Sequence, residues 1–245
     1  MYTSMNKGFT IITNFGCDQH CPYCISKHHP ILQNNLTNDI NWKYLEKCIA
    51  ESTAPTVNLS GGGDPFFHYQ EHLDFYDHIY NICQKYQKRM DIHTRILPDD
   101  NELLSKFRKI ALSIEYDNYE ALNNLKERFN SIKNIVKIRV IQVVNSKITW
   151  QDCLHYIQRL KHIGCEQITF RQMFGNKLAF NHFYELEKII KYPGVLFLHD
   201  GEYHNYYFTT NNKLYPYFFG NLEKDREDWK KIYEHYMATD GCKNI

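Results

Sequence analysis

The sequence lacks any long apolar run. No stretch approaches the roughly 20 apolar residues that a membrane-spanning helix needs. The first residues, MYTSMNKGFTIITNFG, contain no apolar segment followed by a small-residue cleavage site. These absences argue against a helical membrane protein and against a signal peptide, so we expect a soluble, cytoplasmic protein.

An excess of charge of either sign is also missing. The 245 residues include 29 lysines and arginines and 28 aspartates and glutamates, which leaves a formal net charge of +1. A dedicated nucleic-acid binder usually carries a marked basic excess. The charge balance therefore disfavours that function, although it leaves a local basic groove open. The chain length predicts one α/β domain with, at most, a small appendage.

The eight cysteines do not have the pattern of a disulfide framework. In a chain of this length without a secretion signal, disulfides are not expected. Three cysteines, Cys17, Cys21 and Cys24, lie within eight residues, and the others are scattered at positions 48, 83, 153, 165 and 242. The clustering of three thiols is the sharpest chemical signal in the sequence.

Strand-like and helix-like segments alternate along most of the chain. The predicted strands cover residues 9–14, 56–60, 91–96, 110–116, 136–144, 167–173 and 195–198. The predicted helices cover residues 41–51, 69–88, 99–108, 119–129, 150–163, 178–191 and 225–237. Six successive strand–helix pairs predict a parallel sheet, either open or curled into a barrel, with its ligand site at the carboxyl ends of the strands.

The strand predicted at 110–116 has one polar face. Its apolar face consists of Ile110, Leu112 and Ile114, and its other face carries Ala111, Ser113 and Glu115. A strand covered by helices on both sides should be apolar on both faces. The polar face therefore predicts a hydrated cavity inside a curled sheet, and Arg139 and Arg171 interrupt two later strands in the same way.

The three clustered cysteines predict a metal centre. They read Cys17-x₃-Cys21-x₂-Cys24, directly after the first predicted strand. A 4Fe-4S cluster takes four ligands, so three thiolates would leave one iron open to an outside ligand. Structural zinc is the alternative, with the fourth ligand supplied by a histidine at position 20, 28 or 29.

This cysteine motif, with Tyr23 before its last cysteine, resembles the signature of the radical S-adenosylmethionine superfamily. The resemblance implies a partial (β/α)₆ TIM-like barrel over residues 1–195, in which Cys17, Cys21 and Cys24 hold one 4Fe-4S cluster. It also implies that S-adenosylmethionine binds the open iron and is cleaved reductively to a 5′-deoxyadenosyl radical. A reductant such as flavodoxin or ferredoxin is the implied electron donor. Tyr23 is expected beside the cofactor.

A glycine-rich turn, Ser60-Gly61-Gly62-Gly63-Asp64-Pro65, supplies the second motif. Successive glycines let the backbone approach a ligand closely, although a plain strand–helix turn has the same composition. Residues 62–65 resemble the family's Gly-Gly-Glu-Pro, with Asp64 in place of Glu. The resemblance implies that Gly62, Gly63 and Asp64 meet the methionine end of the cofactor, with a weaker or water-mediated contact from the shorter Asp64.

Further pocket residues follow from the same resemblance. Ser113 and Glu115 lie where the fourth strand of the family meets the cofactor, and Arg139, Asn145 and Arg171 lie on its fifth and sixth strands. A guanidinium suits the methionine carboxylate because its fork bonds both oxygens. An internal salt bridge, for example between Glu115 and Arg139, is the competing interpretation.

The aromatic end of the chain reads as an appendage. Residues 196–245 are predicted to form a β-hairpin and a helix that cover the barrel, with turn signals at Asp200-Gly201 and Asn211-Asn212. Tyr203, Tyr206, Tyr207 and Phe208 are candidates to exclude water from a substrate. The substrate stays open between a peptide or protein and a nucleotide or other small molecule. The rival hypothesis is a zinc-stabilised binding module without catalysis, which metal analysis distinguishes.

Overall fold

The computed structural model describes residues 8–19, 21, 24, 40–173, 177–198, 206–208, 212 and 214–215. Within them the strands are β1 Phe9–Ile11, β2 Thr56–Leu59, β3 Arg89–Thr94, β4 Lys109–Ser113, β5 Lys137–Val144, β6 Gln167–Gln172, β7 Val195–Leu198, β8 Tyr206–Phe208 and β9 Leu214–Tyr215. The α-helices are α1 Trp42–Glu51, α2 Leu73–Lys85, α3 Asn101–Ser105, α4 Tyr119–Ile132, α5 Trp150–Ile163 and α6 Lys177–Ile189. Of the helices in this described part, none combines the length and apolarity required to cross a bilayer.

All these strands belong to one sheet, in the order β7-β6-β5-β4-β3-β2-β1-β8-β9. Every neighbouring pair from β7 to β8 is parallel, and β9 runs antiparallel to β8. Between described residues no pairing joins β7 to β9, so the barrel is not closed. The predicted α/β partial barrel, with strands and helices alternating along the chain, is confirmed.

One face of the sheet packs against the helices and forms the hydrophobic core. On β4 and just after it, Ile110, Leu112 and Ile114 are at most 2% exposed and belong to this core. Each helix adds an apolar stripe, which in α5 consists of Cys153, Tyr156, Ile157 and Leu160. Because successive strand residues point to opposite faces, the residues between the core positions face the inside of the barrel.

Side-chain caps fix where several helices begin after the strand ends. Thr149 and Asp152 form a reciprocal capping box at the start of α5, and Gly164 ends that helix with a φ of 104°. The side chains that cap α1, α3 and α4 are Asn41, Asp100 and Asn118. These polar residues satisfy backbone N–H groups that would otherwise lack partners.

Several elements are shorter than their sequence pattern predicts, among them β1 and the helix predicted at 69–88. β1 ends at Ile11 rather than at residue 14, and Asn14 has a φ of 53°. The helix predicted at 69–88 begins with a 3-10 turn, Tyr69–His72, and α2 ends at Lys85 before Gln87, which has a φ of 54°. A residue with positive φ cannot continue a regular strand or helix, so it sets both limits.

A β-hairpin extends the sheet beside the first strand. β8 pairs with β1 and β9 folds back on β8, which confirms the predicted hairpin. The Asn41 backbone N–H donates to Asn212 Oδ1 at 2.7 Å and so ties the hairpin to the start of α1. β7 spans the boundary predicted at residue 195, so the sheet continues across it. The division into two domains stays a prediction, and the helix predicted at 225–237 lies outside the described residues.

Candidate functional site

The residues singled out in the sequence gather where the parallel strands end. We name residues 14–24 the cysteine loop and residues 60–65 the glycine turn. The cysteine loop follows β1, the glycine turn follows β2, Arg95 follows β3 and Glu115 lies just beyond β4. Carboxyl ends of parallel strands meet at one edge of a sheet, which is where ligands bind in α/β folds.

Two cysteines of the loop have contacts that suit a thiolate. The backbone N–H of Gln19 donates to Cys17 Sγ at 3.3 Å. The Arg95 guanidinium donates from Nη1 to Cys21 Sγ at 3.5 Å. The N–H of Cys24 donates to the carbonyl of Cys21 at 3.1 Å. Cys17 is exposed and the other two are half-buried, so a ligand can reach all three.

The electrostatics of the loop keep Cys17 protonated in the absence of metal. Partial burial raises the pKa of its thiol, the Gln19 N–H lowers it, and the charges of Asp64 and Asp18 raise it further. Among the described residues, no three His, Cys, Asp or Glu side chains are grouped to hold a metal ion as they stand. Loading a metal therefore requires deprotonation of the Cys17 thiol.

The scattered cysteines are core residues. Cys48, Cys83, Cys153 and Cys165 are buried. Burial raises the pKa of the Cys83, Cys153 and Cys165 thiols to about 12 each. Cys242 lies outside the described residues. The four buried thiols pack as small hydrophobic groups, which leaves the cysteine loop as the chemically accessible set.

The glycine turn supports the cysteine loop directly. Gly63 forms a parallel bridge with Gly16, and the Asp64 N–H donates to the Gly16 carbonyl at 2.8 Å. A Cβ on Gly63, whose φ is +118°, would lie 2.2 Å from Gly16 O, and one on Gly62 would lie 2.7 Å from Asn14 Cβ. These glycines are required because the backbone of the loop passes against them. Their predicted contact with the cofactor stays a prediction.

The Asp64 side chain turns into the protein. It is 4% exposed, and its Oδ1 accepts from the Phe66 N–H at 2.9 Å and from Thr94 Oγ1 at 2.6 Å. Its Oδ2 accepts from the Arg95 N–H at 2.5 Å. Burial raises the pKa of this carboxyl, and the three hydrogen bonds oppose the shift. Asp64 therefore fixes the end of β3, and its expected role at the methionine group remains untested.

Replacing Asp64 by asparagine should destabilise the protein by about 1–3 kcal/mol. The amide NH₂ would face the Arg95 N–H, so that two donors meet in a buried place. Chemical denaturation of the two proteins measures the loss. The matched control is Asp117→Asn on an exposed turn, which should change the free energy of unfolding by less than about 0.5 kcal/mol. Equal stability of both variants would contradict the positioning role of Asp64.

Arg95 links the cysteine loop to β4, and the sequence argument missed it. Its Nη1 lies 3.2 Å from Glu115 Oε1 as well as near Cys21 Sγ. The Arg95 and Glu115 side chains are 20% and 26% exposed, so the pair is sheltered from solvent. The sequence signal was position, since Arg95 lies near the end of the third predicted strand. A guanidinium at this place can donate a hydrogen bond to the sulfur of Cys21.

Arg139 lies deeper in the barrel than the sequence argument implied. It pairs in register with Ala111, four residues before Glu115, which separates the two levels by about 13 Å along the strand. Its Nε donates to Gln167 Oε1 at 3.2 Å. The competing Glu115–Arg139 salt bridge is wrong, because Glu115 pairs with Arg95 and accepts from Gln142 Nε2 at 2.8 Å. The structure does not bring Arg139 to the cysteine loop.

The remaining predicted residues are distributed around the same edge. Ser113 is half-buried at the end of β4, and Arg171 is exposed near the end of β6, paired in register with Val143. Asn145 Oδ1 accepts from the backbone N–H groups of residues 147 and 148 and so shapes a turn. Tyr23 and the histidines proposed as zinc ligands lie outside the described residues.

Comparison with known proteins shows which fold this is. No protein-family model matches the sequence, and no curated protein does. Streptococcus suis SuiB, solved alone and bound to S-adenosylmethionine, superposes with a TM-score of 0.63 at 13% identity, over 88% of this chain and 61% of SuiB. Methylornithine synthase superposes with a TM-score of 0.50 at 12% identity, over 96% of this chain and 82% of that protein.

The chain has the fold of radical S-adenosylmethionine enzymes. In this radical S-adenosylmethionine fold, the cysteine loop occupies the connection after β1 and faces the carboxyl edge of the sheet. The chain spans 61% of the length of SuiB. The fold expected from the cysteine motif is thus confirmed.

Proposed function

We propose that this protein is a radical S-adenosylmethionine enzyme with one 4Fe-4S cluster held by Cys17, Cys21 and Cys24. The observation that carries the proposal is the position of three accessible thiols on one loop at the carboxyl edge of a partial barrel. Such an edge is the place where α/β folds assemble their active sites. The other cysteines in the described part of the chain are buried in the core and cannot serve.

The donor set fits an iron–sulfur cluster with one open position. Thiolates are the usual ligands of such clusters, and three of them leave a fourth place for an outside ligand. When bound, the group would supply one electron for the reductive cleavage of S-adenosylmethionine, giving the 5′-deoxyadenosyl radical that takes a hydrogen atom from the substrate. The protein supplies binding, orientation and shielding.

Each polar residue at this edge then has a defined task. Arg95 supports the Cys21 thiolate by its hydrogen bond and is itself held by Asp64 and Glu115. Gly62 and Gly63 keep the backbone of the cysteine loop close to β2. The glycine turn, with Ser113, Glu115, Arg171 and Tyr23, is assigned to S-adenosylmethionine.

The substrate and the electron donor belong to the proposal in broad terms. The substrate is a peptide or protein, or a small molecule, and methylornithine synthase is one neighbour of the same fold. A flavodoxin or ferredoxin is the reductant that this chemistry requires. Tyr207, buried and paired in register with Thr10, belongs to the inner wall that would enclose the substrate.

The proposal is tested with the full chain under anaerobic conditions. After reconstitution with iron and sulfide we expect about four irons per chain. With dithionite and S-adenosylmethionine the protein should form 5′-deoxyadenosine and methionine, measured by chromatography and mass spectrometry. A colourless protein that retains zinc instead would support the zinc-stabilised binding module. A cluster-loaded protein that forms no 5′-deoxyadenosine, with or without cell extract, would contradict the enzyme.

A further inference from the structure

The register of the sheet arranges the inner face of the barrel in layers. Asn58, Asp91 and Lys109 lie at one level, two residues before the level of His93, Ala111, Arg139 and Gln167. Two residues further along the strands, Ser113, Ile141 and Thr169 share a level. Arg171 pairs in register with Val143 near the top of the sheet, and Glu115 lies near the cysteine loop through Arg95. The lower layers of this inner face are therefore polar, and they lie below the predicted cofactor.

Positive charge dominates the lower layers. Asp91 is 2% exposed and is satisfied by Arg108, whose Nε donates to Oδ1 at 2.8 Å, with Lys109 Nζ 3.3 Å from Oδ2. Arg139 Nε donates to the neutral amide of Gln167. Among the described residues no carboxylate lies within 4.0 Å of the Arg139 guanidinium, which leaves its charge without a counterion there. Two cationic side chains thus contact this buried carboxylate, and Arg139 lies two residues further along the strands.

The pKa of His93 reflects the same excess of positive charge. Burial lowers the pKa of this imidazole to about 4, and the charges of Arg171, Lys109 and Arg139 contribute to the lowering, with Asp91 opposing them. At neutral pH the ring is therefore uncharged and adds no positive charge of its own. It can accept or donate a hydrogen bond according to its tautomer.

A buried hydroxyl on the inner face has no partner. Thr169 is 1% exposed, and its Oγ1 makes no hydrogen bond within the described part of the chain. It stands one layer above Arg139 on the neighbouring strand, in register with Ile141. Buried hydroxyls without partners are rare in folded proteins because the lost hydration is not replaced. A bound group with an acceptor oxygen would complete its hydrogen bonding.

Solvent reaches this face of the sheet even though the strands are central. Gln167 and Arg171 are exposed, and His93 and Arg139 are half-buried. A ligand in solution therefore has access to the guanidinium of Arg139. Neighbouring positions of β5 and β6 thus combine the charge of Arg139, the unpartnered hydroxyl of Thr169 and solvent access to this face of the sheet.

We propose that the inside of the barrel binds an anionic oxygen group of the substrate, a carboxylate or a phosphate, between Arg139 and Thr169. The guanidinium donates to two oxygens of the anion, the Thr169 hydroxyl donates to one, and Lys109 adds a charge from below. The inference rests on the proposed function, since it names the class of substrate for that enzyme. It assigns Arg139 to the substrate rather than to S-adenosylmethionine.

The depth of Arg139 separates it from the cofactor carboxylate. The level of Arg139 lies about 13 Å below that of Glu115. Arg95 brings Glu115 beside Cys21, one of the proposed cluster ligands. A methionine carboxylate bound at the open iron would therefore stay near the Glu115 level, and a second anion is needed at the Arg139 level.

The test is a titration of the full chain with inorganic phosphate and with glutarate at constant ionic strength. Binding is followed through the NMR signals of the His93 imidazole, because a nearby anion raises the pKa of that ring. The His93→Asn variant assigns these signals. Arg139→Gln should weaken binding about tenfold or more, and Thr169→Val about three- to tenfold. Thr169→Val should keep or raise the melting temperature, because a methyl replaces an unpaired hydroxyl.

The control is Lys126→Gln on α4. Lys126 lines an outer groove of about 640 Å³ between α4 and α5, together with Arg159, His155 and His162.

Preference for glutarate or for phosphate identifies the carboxylate or the phosphate as the substrate group, and either supports the inference. Loss of binding in Lys126→Gln but not in Arg139→Gln, or no binding of either probe, overturns it.

A second measurement separates the substrate from the cofactor. Equilibrium dialysis of S-adenosylmethionine with the reconstituted protein should give the same affinity for Arg139→Gln as for the unaltered chain. A tenfold weaker affinity would overturn the inference and assign Arg139 to the methionine carboxylate. The anion titration needs neither cluster nor S-adenosylmethionine. Anion binding without 5′-deoxyadenosine formation would therefore contradict only the proposed function. Formation of 5′-deoxyadenosine without anion binding would contradict only this inference.

Discussion

Replacing Cys21 by alanine should reduce the iron content of the reconstituted protein from about four atoms per chain to nearly none. The variant loses one of three thiolates and leaves the Arg95 guanidinium without its sulfur partner. Formation of 5′-deoxyadenosine should disappear with the iron. The fold should survive, because Cys21 is half-buried on a loop and its loss should cost less than about 1 kcal/mol. Iron analysis and chemical denaturation measure the two effects separately.

A buried cysteine provides the matched control. Cys48→Ala removes a thiol from the core, where it is 6% exposed, and should cost about 1–2 kcal/mol. Its iron content should match that of the unaltered chain. If Cys21→Ala binds iron normally, or if Cys48→Ala loses iron equally, the assignment of the cysteine loop as the cluster site is wrong.

Replacing Gly63 by alanine should cost about 2–4 kcal/mol of stability and impair iron loading. The new Cβ would lie 2.2 Å from Gly16 O in a residue with a φ of +118°. Both backbones must move apart, and the hydrogen bond from the Asp64 N–H to the Gly16 carbonyl is lost. The cysteine loop would then lose its close packing against the glycine turn that follows β2. Thermal unfolding and iron content after reconstitution are the measurements.

Gly61→Ala distinguishes backbone contact from backbone strain. Gly61 also has a positive φ, +79°, but its Cβ would meet only the flexible end of Ile12, 3.0 Å from Cδ1. This variant should cost about 1–2 kcal/mol and load iron normally. If the two variants behave alike, the close approach of Gly63 to Gly16 has no special role.

Much of the fold could be predicted from residue patterns. Alternating apolar residues marked the strand β4. Local rules of this kind act within a few residues, so the sequence shows them directly. The ends of β1 and α2 were harder to predict from the sequence, because Asn14 and Gln87 are not residues whose type demands a positive φ.

The candidate site was predictable only in part. The cysteine spacing was visible, yet the partners of Asp64 and Arg95 come from other strands. Glu115 chooses Arg95 over Arg139 because the strand register sets their levels, and register depends on the whole sheet. Position along a strand is the signal that separates the two arginines, since Arg95 directly follows β3 whereas Arg139 lies near the start of β5.

The pairing of β8 with β1 has a consequence for how the chain matures. The N–H of Ile12, just before the cysteine loop, donates to the carbonyl of Phe208 at 2.9 Å. During synthesis this side of the first strand stays an open edge until the hairpin has left the ribosome. A metal delivered to the nascent chain would thus meet an incomplete sheet edge, and the proposed cluster would be inserted after the hairpin has paired with β1.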